Sequence, residues 1–184
     1  MINPFVFIFS SSLDNFVKAQ AGGKAFNLHK LSNNGFNIPT WCAIPASVFE
    51  DFISKNNLQT FIDQQINSNQ YDENIIYNKF NEIGLPELLK ARIKETWENY
   101  LKKEMISVRS SAADEDGSSH SFAGQLSSFL YITKLEDVYS SVIKCWASAF
   151  SNRGISYRQQ NKLDVKNIRV SVIFQQMIDP NTSG

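Results

Sequence analysis

An α+β fold, with a mixed β-sheet flanked by helices, is what the sequence predicts, on three observations. Ile168, Val170, Val172 and Phe174 alternate with Arg169, Ser171 and Gln175, the period of two that a strand imposes. Shorter apolar runs near 5–9, 41–44, 105–108 and 129–132 supply further strands. Between them, apolar residues recur at the spacing of one helix face, as in Val48, Phe49, Phe52 and Ile53, then Leu89, Ile93, Trp97 and Leu101, then Val138, Val142 and Trp146.

Taken in order, the Phe5–Phe9 run is an edge strand entering the fold, and Ala21-Gly22-Gly23-Lys24 opens a helix with Leu28 and Leu31 on one face. Gly35 to Pro39 turns into a strand through Trp41 and Ile44. Pro45 starts a helix in which Ser47 and Glu50 have capping-box spacing. From Asn56 to Gln70 the pattern is weakly helical, with an Asn/Gln/Ser-rich exit that reads as a surface insertion, and Pro86 opens a stronger helix ending at Lys102 and Lys103. Thr133 and Glu136 have the spacing to cap the helix that follows, Asn152-Arg153-Gly154 breaks it, and a short helix over Ile155–Gln160 leads to the alternating strand. The chain halts at Ser183-Gly184, just after an Asp179-Pro180-Asn181 turn where a further strand is due, so it reads as a piece of something longer.

At 184 residues with 42% hydrophobic content, 14 Phe among them, the chain can fill the core of one good-sized domain or part of a larger one. Eighteen basic and eighteen acidic residues cancel, so there is no basic field for a nucleic acid. No stretch approaches the ~20 apolar residues that cross a bilayer. Cys42 and Cys145 lie far apart in apolar surroundings, with no metal-ligand spacing, and read as two free thiols in a reducing, cytoplasmic setting.

Two stretches carry candidate chemistry. Gly22-Gly23-Lys24 at a helix start offers close backbone approach, unpaired N–H groups and a mobile cation, the makings of a phosphate cradle. It is not a Walker A loop, since Lys18 stands in place of the first glycine and Ala25 in place of the magnesium-holding hydroxyl. The second stretch, Ser107–Gln125, leaves an apolar strand through Arg109 into a Ser- and Gly-rich loop, where a planar guanidinium and accessible backbone suit an anion. Each stretch also fits a plain structural reading: a flexible loop with a flanking lysine for the first, a solvated hairpin loop with a surface arginine for the second. Gln175 at a strand end either reads an adenine edge or caps the sheet.

In combination these segments resemble one family. GGKAFNL, GFNIPTWCAIPASVFEDF, SVRSSAADED with SFAGQ, KCWASAFSNRGISYR and IRVSVIFQQMIDPNTSG occur in the order and approximate spacing of the N-terminal nucleotide-binding part, an ATP-grasp domain, of phosphoenolpyruvate synthase, pyruvate phosphate dikinase and rifampin phosphotransferase. The resemblance covers nearly the whole chain and is weakest over about 56–103, a variable helical region. It implies that residues 1–184 are the N-terminal lobe of the nucleotide-binding domain. It also implies that the β-phosphoryl group of ATP passes to a histidine on a separate swivelling domain, leaving AMP and phosphate, and then to a small-molecule acceptor such as pyruvate or a rifamycin.

Residue by residue, the resemblance places Lys24 and Arg109 on the ATP phosphates, Gly124 where backbone approaches the nucleotide, Ser128 where the family often has threonine, and Gln175 near the adenine. No residue of this chain is matched as catalytic or as a metal ligand. Neither His29 nor His120 matches the phosphorylated histidine, and the Mg2+ ligands are expected beyond Gly184. One departure is Ala113-Asp114 where the family has Thr-Ala, which brings a carboxylate close to the phosphate loop. A chain cut off here also fits a second class, a stand-alone, non-catalytic nucleotide-binding or protein-interaction module.

Overall fold

Five strands form one sheet in the order β1-β2-β5-β3-β4. The computed structural model describes residues 7–68, 70–113 and 127–179. Along the chain these hold β1 (Ile8–Phe9), α1 (Asp14–Asn33), β2 (Trp41–Ile44), α2 (Ala46–Lys55), α3 (Leu58–Ile66), α4 (Glu73–Ile83), α5 (Glu87–Asn99), β3 (Ile106–Ala112), β4 (Ser128–Ile132), α6 (Leu135–Ser148), α7 (Asn152–Gln160) and β5 (Val170–Gln176). The α+β class and the flanking helices are as expected, whereas the sheet, expected to be mixed, is antiparallel in every described pairing.

The two faces of the sheet differ. One carries Cys42, Ile44, Ile106, Val108, Val170, Val172 and Phe174, and meets apolar residues from all of α2 to α7. Its centre is aromatic: the Phe52 ring lies 4.9 Å from that of Trp146 and 5.3 Å, edge-on, from that of Phe80. Among the described residues the other face is covered mainly by α1, through Val17, Ala21 and Ala25 against Ile8, Trp41, Ala43 and Ile173. β5 is therefore central and buried on both faces over Val170–Phe174, not half-buried as its polar alternates had implied. Ser171 fits there because its hydroxyl donates to the Ala21 carbonyl oxygen at 2.5 Å.

Several local expectations shift for physical reasons. Pro45, extended at φ −68°, is itself the N-cap of α2, so Ser47 sits inside the helix. Its N–H donates to the Gln20 side chain and Glu50 pairs with Arg169, which leaves no capping box. The α6 cap falls on Lys134, one residue after Thr133. The sequence reading passed over α4, whose buried stripe is only Ile76 and Phe80, although Asp72 caps it by accepting the Asn74 N–H. The 56–103 region is helical as expected, and its Leu58, Ile62, Phe80, Leu89 and Ile93 belong to the larger core.

Candidate functional site

The strand register brings the candidate residues together. Reading across the sheet, Ile8 pairs with Ala43, Ala43 with Ile173, Ile173 with Arg109 and Arg109 with Ser128. Residues directly opposite in antiparallel strands project from the same face, with Cα atoms about 4.5–5.5 Å apart. Ile8, Ala43 and Ile173 lie in the cluster under α1, so Arg109 and Ser128 continue that row beyond the helix. Gln175 pairs with Trp41 on one side and Ser107 on the other, and belongs to the same face two residues along. The row thus passes from apolar under α1 to a guanidinium and then to a hydroxyl at the β4 edge. Arg109 is half-buried and makes no ion pair or side-chain hydrogen bond among the described residues.

Lys24 reaches this face from α1. That helix is broken at Gly22, whose φ of 70° and ψ of 172° is a conformation open essentially to glycine alone. A second constraint acts at the same residue: a Cβ on Gly22 would stand 2.0 Å from the Ala112 carbonyl oxygen and 2.6 Å from Ser111 Oγ. Gly22 therefore lets α1 seat directly on the end of β3. The helical arm beyond it starts with Gly23 and Lys24, as the sequence predicted; the arm before it, back to Asp14, was not foreseen. Lys24 Nζ donates to the Ser110 carbonyl oxygen at 2.9 Å, which places the ammonium beside the C-terminal part of β3.

Ser111, two residues beyond Arg109 on the same face, is buried, and its Oγ has no hydrogen-bond partner among the described residues. It went unassigned from sequence; the signal available was the period of two itself. Gln176, on the opposite face, is committed to structure by donating from Nε2 to the Leu101 carbonyl at 3.0 Å. Of the residues expected at the site, Lys24, Arg109, Ser128 and Gln175 therefore share one face. Gly124 lies outside the described residues, as do His120 and the acidic turn at 114–116. His29 is buried within α1.

An ammonium, a guanidinium and serine hydroxyls on one face of β3 and β4 form a donor set suited to an anion with several oxygens. The set lacks what magnesium needs. Among the described residues no group of three or more His, Cys, Asp or Glu can hold a metal ion, so no step is assigned to a metal here. A cleft of about 320 Å³ lies elsewhere, between α2 and the segment entering β5, lined by Phe49, Glu50, Ile53, Lys166 and Arg169. Its arginine is already paired with Glu50, and it shares no residue with the candidate cations.

This face, with its ammonium, guanidinium and hydroxyls on an antiparallel sheet, is a candidate nucleotide-phosphate site. Residues 18–184 match the family described as pyruvate phosphate dikinase, AMP/ATP-binding domain, and the chain belongs to that family. It is 31% identical over 183 residues to a probable phosphoenolpyruvate synthase of Methanothermobacter thermautotrophicus, covering 89% of this chain and 26% of that protein. A rifampicin phosphotransferase of Bacillus cereus is 32% identical over 172 residues (89% and 20%), and a phosphoenolpyruvate synthase of Aeropyrum pernix 27% identical over 177 residues (89% and 22%). The chain thus spans about a fifth to a quarter of the length of these relatives. No helix among the described residues is long and apolar enough to cross a membrane.

Proposed function

We propose that this chain is the ATP-binding lobe of a dikinase-type phosphotransferase, in which Lys24 and Arg109 hold the phosphates, Ser128 adds a hydroxyl and Gln175 faces the adenine. Gly124 is proposed to allow close backbone approach to the nucleotide. The β-phosphoryl group passes to a histidine on a swivelling domain, AMP and phosphate leave, and the phosphohistidine then phosphorylates a small-molecule acceptor such as pyruvate or a rifamycin. Mg2+ acts with ligands outside the described residues, and the setting is the cytoplasm.

The observation that carries the reading is the single face shared by Lys24, Arg109, Ser128 and Gln175. Fixed cations there lower the cost of gathering phosphate charge and stabilise it during transfer. The test is calorimetric titration of the intact protein with ATP. A charge-assisted hydrogen bond is worth about 1.5–3 kcal/mol, so Lys24→Ala and Arg109→Ala should each weaken binding by about tenfold to a hundredfold. Unchanged affinity in the double variant would end the proposal. AMP release by the intact protein separates the dikinase reading from a non-catalytic nucleotide-binding module, which binds ATP and forms none.

A further inference from the structure

In a straight helix, residues 14 and 29 would stand about 22 Å apart along the axis, at 1.5 Å per residue. In α1 their side chains touch: His29 Nε2 lies 2.7 Å from Asp14 Oδ1. The two arms of the helix therefore fold back on each other about Gly22, with Gly23 and Lys24 at the turn and the Asp14–His29 contact bridging the open end. The imidazole is 1% exposed and the carboxylate 76%, so one buried ring depends on one surface group for its polar partner. The Asn33 side-chain nitrogen is 3.1 Å from the same Nε2. Because a carboxylate only accepts, the bond to Asp14 requires the proton on Nε2, and the Asn33 amide nitrogen then cannot donate to the same atom. Nδ1 is buried without a partner among the described residues, so this bond carries much of the ring's polar anchoring.

We propose that the Asp14–His29 pair is a brace that fixes the roll of the second arm of α1 and thereby positions Lys24 for the phosphates of ATP. Resting on the assignment of Lys24 to those phosphates, the proposal makes Asp14 and His29 positioning residues that act through Lys24. The first arm is anchored to the sheet independently, by the Ser171 bond to the Ala21 carbonyl and by the seating of Gly22 on Ala112. The second arm carries Lys24, five residues before His29. Ala25 in the apolar cluster and the Trp41 Nε1 bond to Ser32 Oγ also hold that arm, so releasing His29 loosens its roll rather than freeing it and shifts the Lys24 side chain relative to the Ser110 carbonyl that now orients it.

The exposed partner is the one to change, since its loss leaves the core packing intact. ATP and adenosine affinities are measured by calorimetry on the intact protein for Asp14→Ala, Asp14→Asn, Lys24→Ala and the double variant Asp14→Ala/Lys24→Ala. Asp14→Ala is expected to weaken ATP binding about threefold to tenfold, in the range of coupling between neighbouring groups, with adenosine affinity unchanged. Asp14→Asn, which keeps an accepting oxygen, restores most of it. With Lys24→Ala already present, Asp14→Ala has no further effect. Equal loss for ATP and adenosine, or the same loss with and without Lys24, overturns the brace, as does full ATP affinity in Asp14→Ala while Lys24→Ala alone weakens it. Full affinity in Lys24→Ala overturns both the brace and the assignment of Lys24.

Discussion

Replacing Gly22 by alanine tests how the site is assembled, and the structure supplies its own control. Gly84, the C-cap of α4, has nearly the same backbone, φ 70° and ψ 177° against φ 70° and ψ 172° at Gly22. Nothing lies within 4 Å of a Cβ at Gly84, whereas at Gly22 the Ala112 carbonyl oxygen would be at 2.0 Å. Backbone strain at such dihedrals costs about 1–3 kcal/mol, offset by about 0.4–1 kcal/mol from the stiffer unfolded chain. Both variants carry that term. Only Gly22→Ala adds the overpacking cost of about 1–3 kcal/mol, because the nearest obstacle is the Ala112 backbone at the end of β3 and not a movable side chain. Urea denaturation should place Gly84→Ala about 1–2 kcal/mol below the parent and Gly22→Ala about 2–5 kcal/mol below it, a large share of the 5–15 kcal/mol typical of a domain. Equal losses in the two variants would refute the seating of α1 on the end of β3.

Two further outcomes follow from the same geometry. Gln175→Ala should weaken ATP binding with little change in melting temperature, while Gln176→Ala, which loses the bond to Leu101, should cost about 1 kcal/mol of stability and leave ATP affinity intact; calorimetry and thermal melts on both variants check the pair. Cys42 and Cys145 are both fully buried, and burial pushes both thiols up, Cys145 to about 12 from the ordinary 9.0. At pH 8 they should therefore react with a thiol reagent only at the rate of unfolding. The folded state holds the Cys145 proton more tightly, so this contribution to stability is whole below pH 9 and drains away as pH rises towards about 12; Cys145→Ala should flatten the alkaline limb of stability measured by denaturant melts.

The candidate residues were legible in the sequence, and little of their geometry was. Lys24, Arg109, Ser128 and Gln175 could be picked out by residue type and family order. That they share a face could not, because a period of two tells which residues of one strand point together but not which strands are neighbours. β5 lies between β2 and β3, so pairing Ile173 with Arg109 joins residues 64 positions apart. Gly22 and Gly23 read as a phosphate cradle, and the structure gives Gly22 a prior duty, clearance for the Ala112 carbonyl. The fold-back of α1 was hidden because Asp14 and His29 mean nothing to each other until the helix breaks. α4 was missed because Ile76 and Phe80 are too sparse a stripe among Asn, Lys and Glu, while β1 at the sheet edge and the helix after Pro86 were plain from apolar runs and proline.

The central claim is that ATP binds on the face of the sheet that carries α1, and amide chemical-shift mapping during an ATP titration of the intact protein tests it most directly. The strongest changes are expected at Gly23, Lys24, Arg109, Ser111, Ser128 and Gln175, with Glu50, Lys166 and Arg169 unmoved. Shifts centred on the cleft lined by Glu50, Lys166 and Arg169, with Lys24 and Arg109 silent, would contradict it.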